Sequence, residues 1–181
     1  MTRNAAPIDH ALTNAGNEAG DVLRRPAPPA SPTLPQRLTF TVPGEAVPQG
    51  SMKGYVPKGW TRPILTNDNP KTKPWRAMVA CAAIEAQFTQ GGWPRISEQA
   101  IRLDIDCYFV RPASVSERKR PSMIVRPDAS KLLRAIEDAL TKILWRDDSQ
   151  VVDLRISKHY APAGEPAHTV IRVQELLLFP I

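Results

Sequence analysis

From residue 100 to residue 110 the chain alternates without a break. Ile101, Leu103, Ile105, Cys107 and Phe109 fall on one side, and Arg102, Asp104, Asp106 and Tyr108 on the other. A period of two marks a half-buried strand. Residues 37–42, RLTFTV, alternate and are β-branched, with Pro43 and Gly44 ending the run. Residues 150–160 alternate again, with Val152, Leu154 and Ile156 expected inward, and residues 168–178 read as a last strand. Two other stretches repeat at helical spacing. Trp75, Met78, Val79, Ala82, Ala83 and Ala86 share one face; Pro74 suits a first helical turn and Gly91-Gly92 a stop. Leu132, Leu133, Ile136, Ala139, Leu140 and Ile143 form the second apolar stripe.

The expected order is therefore β, α, β, α, β, β. It predicts an α+β fold: a single mixed or antiparallel sheet with its helices packed on one face. The last two strands are expected to pair as an antiparallel hairpin around Pro162 to Pro166. Residues 43 to about 73, punctuated by Pro and Gly, read as a long loop. Residues 1–36 hold few large apolar side chains and end in RRPAPPASPTLPQR, so they predict a disordered tail before a domain at 37–181.

Charge sharpens this picture once it is divided. In residues 1–36, Arg3, Arg24 and Arg25 balance Asp9, Glu18 and Asp21, so the formal net charge of +6 lies wholly in the domain. A basic domain favours a polyanionic partner, because phosphates neutralised by cations release counterions. Cys81 and Cys107 lack metal or redox spacing and fall in apolar patterns, which predicts buried free thiols. No segment approaches a membrane span, and the N-terminus lacks the apolar core of a signal peptide, so a soluble, cytoplasmic protein is expected. Nothing calls for a small-molecule cofactor.

Against this basic background, RPDASKLLRAIEDALTKILWRDDSQ (126–150) gathers Asp128, Asp138, Asp147 and Asp148 around one helix. Asp128 stands at the helix start. About fourteen helical residues carry the chain about 21 Å away. The six steps from Lys142 to Asp148, if extended, cover nearly that distance back, so the spacing permits Asp128 and Asp148 to meet. Clustered carboxylates repel, and a hard divalent cation such as Mg2+ relieves the repulsion. Structural roles compete: Asp128 as a cap, Asp138 paired with Arg134 and Lys142, and Asp147–Asp148 as a solvated turn.

The run from Pro127 to Tyr160, "PD…LL.AI.DAL…LW.DDSQVVDL…K.Y", resembles the core signature of RusA-type Holliday-junction resolvases, PD-x-D-N-L-x-K-x-x-x-D-A-L followed by W/Y-x-D-D-x-Q-V. LTFTVPGEAVPQG and NPKTKPWR resemble the family's N-terminal half, so the likeness covers about residues 37–178. It implies a homodimeric, mixed α/β endonuclease that makes paired, Mg2+-dependent cuts (Mn2+ being an alternative) across a four-way DNA junction in recombination and repair. The family occurs in bacteria and prophages. By the resemblance, Asp128 matches the first metal-binding acid and Asp148 the last, with Asp147 as a supporting neighbour. Asp138 matches the helix aspartate, and Arg134 takes the place of the helix lysine.

Two positions depart from the pattern: Ser130 stands at the second acid and Lys131 at the asparagine. A serine hydroxyl ligates Mg2+ without charge, and Lys131 adds a cation, so the site is two units less negative and should hold metal more weakly. Two expectations follow: an active nuclease on fewer carboxylates, or a junction-binding protein with weakened catalysis. Asp104 and Asp106, on one strand face, could supply a substitute acid. In the active version a metal on Asp128 and Asp148 would activate water, and Arg134 would neutralise charge on the phosphate. Phosphate contacts are expected from Lys53, Lys58, Arg62, Lys71 and Lys73, interleaved with Tyr55, Trp60 and Trp75, and from Arg118, Lys119, Arg120 and Lys131. His10, His159 and His168 match no metal motif.

Overall fold

The computed structural model describes residues 36–67 and 69–176, without the side chains of Met52, Thr66 and Asn67. The N-terminal tail expectation and the last residues of the final strand lie outside them. Among the described residues six strands and two helices follow one another: β1 (Arg37–Pro43), β2 (Met52–Tyr55), β3 (Ile64–Asn67), α1 (Thr72–Gln90), β4 (Ala100–Phe109), α2 (Ala129–Leu140), β5 (Val151–Tyr160) and β6 (His168–Leu176). A single 3-10 turn, Asp148–Gln150, leads into β5.

The main sheet has the order β1-β6-β4-β5, with β1·β6 and β6·β4 antiparallel and β4·β5 parallel. It is thus mixed, with both helices on one face. The expected β5–β6 hairpin does not form, because β4 sits between the two strands. The reason lies in side-chain demand. One face of β4 is entirely buried (Ile101, Leu103, Ile105, Cys107, Phe109), which requires a central place. β5 is more polar and takes an edge, reached through the α2 crossover that a parallel pair requires.

The core lies between sheet and helices. β1 contributes Leu38, Phe40 and Val42, and β6 contributes Ile171 and Val173. α1 inserts Trp75, Val79, Ala83 and Ala86; α2 inserts Leu132, Ala135, Ile136, Ala139 and Leu140. Each fully buried Leu or Ile contributes about 1.5–3 kcal/mol relative to exposure. Past α2 the chain reverses through Lys142, at φ 67°. Leu144 and Trp145 are fully buried there, and the Leu144 carbonyl accepts bonds from Trp93 Nε1 and the Ser97 N–H.

Several expectations need correction. Residues 43–73 are not all loop: β2 and β3 form an antiparallel hairpin. Its strands, MKGY and ILTN, are four residues each, too short to betray themselves by alternation. Met78 and Cys81 point outward on α1, so only Cys107 is a buried thiol, pushed up to about 11 chiefly by burial. In β5 a register shift opposite Ile101/Arg102 leaves Val152 outward, 63% exposed, and Leu154 is 42% exposed on the sheet edge. Ile156 packs against the core as expected.

Candidate active site

α2 presents one stripe to the core and another to the outside. Ser130, Lys131 and Arg134 are exposed, and Glu137 and Thr141 are half-buried. Positions 130, 134, 137 and 141 line up along one side at helical spacing. The two family acids stand at opposite ends of this line.

Asp128 occupies the N-cap position of α2 with extended backbone, yet its carboxylate makes no capping bond. Its backbone carbonyl instead accepts from the Lys131 and Leu132 N–H groups. The carboxylate therefore does not serve as a cap and is exposed, in a cleft of about 540 Å³ that Gln49, Asn69, Arg126 and Lys131 also line. Two ties hold this end. The Gln49 N–H donates to the Lys131 carbonyl at 2.9 Å. Lys158 Nζ on β5 donates to the carbonyls of Val125 (2.7 Å) and Pro127 (2.8 Å).

Asp148 lies at the other end, where its carboxylate accepts from the Thr141 hydroxyl, and Thr141 caps the C-terminus of α2. Glu137 stands nearby. Burial first, then the charges of Asp148 and Asp138, hold its carboxyl above the usual range, while Arg134 acts against them. Asp147 is engaged elsewhere. It caps the 3-10 turn by accepting from the Ser149 N–H at 3.0 Å, and this bond keeps its carboxyl below the usual range. Gln150 completes the box: its Oε1 accepts from the Asp147 and Arg146 N–H groups, and its Nε2 donates to the Ser97 and Gln99 carbonyls. Much of the DDSQ motif is thus a structural knot, with Asp148 the member turned toward α2.

The expected meeting of Asp128 and Asp148 does not occur within one chain. Thirteen residues of helical rise separate Asp128 from Thr141, about 20 Å. The return path agrees: the chain comes back to the Asp128 end only through β5, whose Lys158 reaches Pro127. The residues after Lys142 do not run extended along the helix as the spacing allowed; they fold into the Trp145 turn and the capped Asp147–Gln150 knot. One copy therefore does not offer a divalent cation both acids. Among the described residues no group of three His, Cys, Asp or Glu side chains is placed to hold a metal ion.

The substitute acids lie elsewhere as well. Asp104 and Asp106 are on the sheet face away from the helices, and Asp106 pairs with Arg172 (2.6 Å) and His159 (3.0 Å). Burial opposes ionisation of Asp106, but these partners outweigh it and lower its carboxyl below the usual range. Asp138 pairs with Arg76 of α1 at 3.3 Å, not with Arg134 or Lys142, and Arg76 also donates to its carbonyl at 2.7 Å. It fastens the two helices together.

The expected cations fall into separate groups. Lys53 is on β2, and Lys58 and Arg62 lie in the turn of the β2–β3 hairpin beside Trp60, which is 62% exposed. Lys71 and Lys73 begin α1, with Lys73 lining a second cleft that shares Asn69 with the Asp128 cleft. Arg118, Lys119 and Arg120 lie in the loop after β4, and the Arg120 carbonyl accepts from Arg111. Trp75, read as a stacking aromatic, is buried in the core. Reasoning from sequence passed over Gln49, Glu137, Thr141 and Lys158 as site residues. Gln49 and Lys158 stood inside the quoted likeness; Glu137 and Thr141 carried no signal beyond their helical spacing from Arg134.

The profile of the endodeoxyribonuclease RusA family matches residues 43–174. An uncharacterized protein of Bacillus subtilis (strain 168), YqaN, is 32% identical over 135 residues, covering 68% of this chain and 88% of that protein. The RusA family comprises Holliday-junction-resolving endonucleases that generally depend on a divalent metal. A profile spanning more than half of the chain, over an α+β fold, places this protein in the RusA endodeoxyribonuclease family.

Proposed function

We propose that this chain is a structure-selective endodeoxyribonuclease that cuts four-way DNA junctions during recombination and repair. It would act as a homodimer in the cytoplasm of a bacterium or its prophage, with Mg2+ as cation and Mn2+ as an alternative. One observation carries the reading. Asp128 and Arg134 on α2, and Asp148 beyond its C-terminal end, all stay outside the core, and the Asp128 carboxylate does no capping work that would explain it structurally. Because one copy does not bring the two acids together, its geometry assigns the cation no step.

The chain's own residues have definable tasks. Arg134, exposed midway along α2, would neutralise charge building on the scissile phosphate. Lys58 and Arg62 with Trp60 suit a phosphate backbone and an unstacked base at a branch point. Lys73 and Lys131 beside the Asp128 cleft would draw the strand toward the acids. No described element resembles a major-groove reading helix, so selectivity should follow junction shape more than sequence.

A second reading, a junction-binding protein with weakened catalysis, is favoured by Ser130 and Lys131 standing where the family has an acid and an asparagine. The two separate on a synthetic four-way junction with Mg2+ and with chelator. Cutting that chelator abolishes supports the first reading; tight binding without cutting supports the second. Ser130→Asp sharpens the choice, because a large gain in rate marks that position as a lost ligand. Neither binding nor cutting would sink both.

A further inference from the structure

We infer that Lys158 and Arg111 are positioning residues that fasten the loop between β4 and α2 to the end of β5. Lys158 sets Asp128, and Arg111 sets the basic run Arg118, Lys119 and Arg120. What the fastening serves rests on the nuclease reading, while the fastening itself does not.

The loop needs holding. From Val110 to Asp128 the chain forms neither helix nor strand, which exceeds the about 12–15 residues beyond which such connections are uncommon. Its internal backbone bonds are local turns: the Val115 N–H to the Pro112 carbonyl, Lys119 and Arg120 to Ser116, and Ile124 to Ser122. Met123 is its buried apolar side chain. Yet the loop carries three consecutive cations and ends on Asp128.

The end of β5 supplies the anchor. β4 and β5 run parallel and finish side by side, Phe109 opposite Tyr160, so the loop leaves β4 beside the last residues of β5. Lys158 follows the core-packed Ile156 by two positions and stands opposite the buried Cys107, on the helix side of the sheet. A half-buried ammonium there requires acceptors. It finds them in the Val125 and Pro127 carbonyls, at 2.7 and 2.8 Å, immediately before Asp128.

Tyr160, two residues further on, carries the Arg111 guanidinium 4.0 Å from its ring centre. From there Arg111 Nη1 donates to the Arg120 carbonyl, tying the basic run back to the start of the loop. Lys158 and Arg111 are thus committed to backbone carbonyls and a ring, whereas Arg118 and Lys119 remain exposed. Because the two fastenings hold different groups, losing one should act on rate and losing the other on affinity.

Three variants test this: Lys158→Met, Lys158→Arg and Arg111→Met. Junction affinity is measured in chelator, single-turnover cutting at saturating protein in Mg2+, and amide hydrogen exchange along the whole chain. Lys158→Met should slow cutting about tenfold to a hundredfold, the scale of a small misplacement at a reacting centre. It should leave affinity unchanged and speed exchange around Asp128 but not in β4 or β6. Lys158→Arg, whose donors also reach two acceptors, should recover most of the rate. Arg111→Met should weaken affinity more than rate and speed exchange around residues 116–120. Loss of affinity with the rate retained in Lys158→Met would make that lysine a phosphate contact and overturn the proposal. Exchange around Asp128 that stays the same, or that speeds equally throughout the sheet, would overturn it too. If the wild-type chain binds junctions and never cuts them, the nuclease reading alone fails, and exchange and affinity still decide whether the fastening holds.

Discussion

The two ends of α2 hold the same residue type in opposite settings. At the N-terminal end, Asp128 sits in a cleft among Arg126, Lys131 and Asn69, and its carboxylate makes no hydrogen bond to the helix. At the C-terminal end, Asp148 is held by Thr141 beside Glu137, behind a turn locked by Trp145 and by the Asp147–Gln150 box. One end is basic and open, the other acidic and braced. The contrast shows how a signature that looks continuous in sequence becomes two separated acids in space. Between them Leu132, Ala135, Ile136, Ala139 and Leu140 are committed to the core, so α2 acts as a rigid spacer as well as a platform.

The largest effects are expected from removing either acid. Asp128→Asn and Asp148→Asn should each lower junction cutting by about a hundredfold or more, the scale seen when a group stabilising transition-state charge is removed. Junction binding should persist, and Asp128→Asn should leave the melting temperature almost unchanged, because no cap is lost. Trp145→Ala attacks the braced end alone. It should destabilise by about 3–5 kcal/mol in denaturant unfolding, as expected for a fully buried aromatic.

Smaller effects sharpen the comparison. Trp60→Ala on the hairpin should weaken junction binding by about 1–3 kcal/mol if a base stacks there, and Lys58→Ala with Arg62→Ala should flatten the salt dependence of binding. Asp147→Ala should lower the melting temperature modestly through its lost cap. The smallest effect is a matter of pH. The folded-state carboxyl of Glu137 is raised, so its ionised form opposes folding at neutral pH, and that penalty is absent below the ordinary carboxyl range near about 4.3. Glu137→Gln should therefore raise the melting temperature slightly at neutral pH and leave it unchanged in acid.

Much of the scaffold was legible in the sequence, because β4 and α2 have uninterrupted periods set by burial. The β2–β3 hairpin was not, because strands of four residues are too short to show a period. The β5–β6 adjacency failed for a different reason. Chain neighbours pair by default, but β4 buries one whole face and claims both partners. At the site, residue types were readable and distance was not. The count from Lys142 to Asp148 allowed an extended return, yet Trp145 needed burial and Gln150 had backbone carbonyls to reach, and these bonds fixed the turn instead. Asp147 shows the same limit: a carboxylate in a catalytic-looking pair became a cap.

The most direct test is single-turnover cutting of a synthetic four-way junction, against linear duplex of the same sequence, by the wild-type chain and by Asp128→Asn and Asp148→Asn. Cutting of the junction and not the duplex, lost with either substitution, is the predicted result. Cutting that survives both substitutions, or that does not distinguish junction from duplex, would contradict the account.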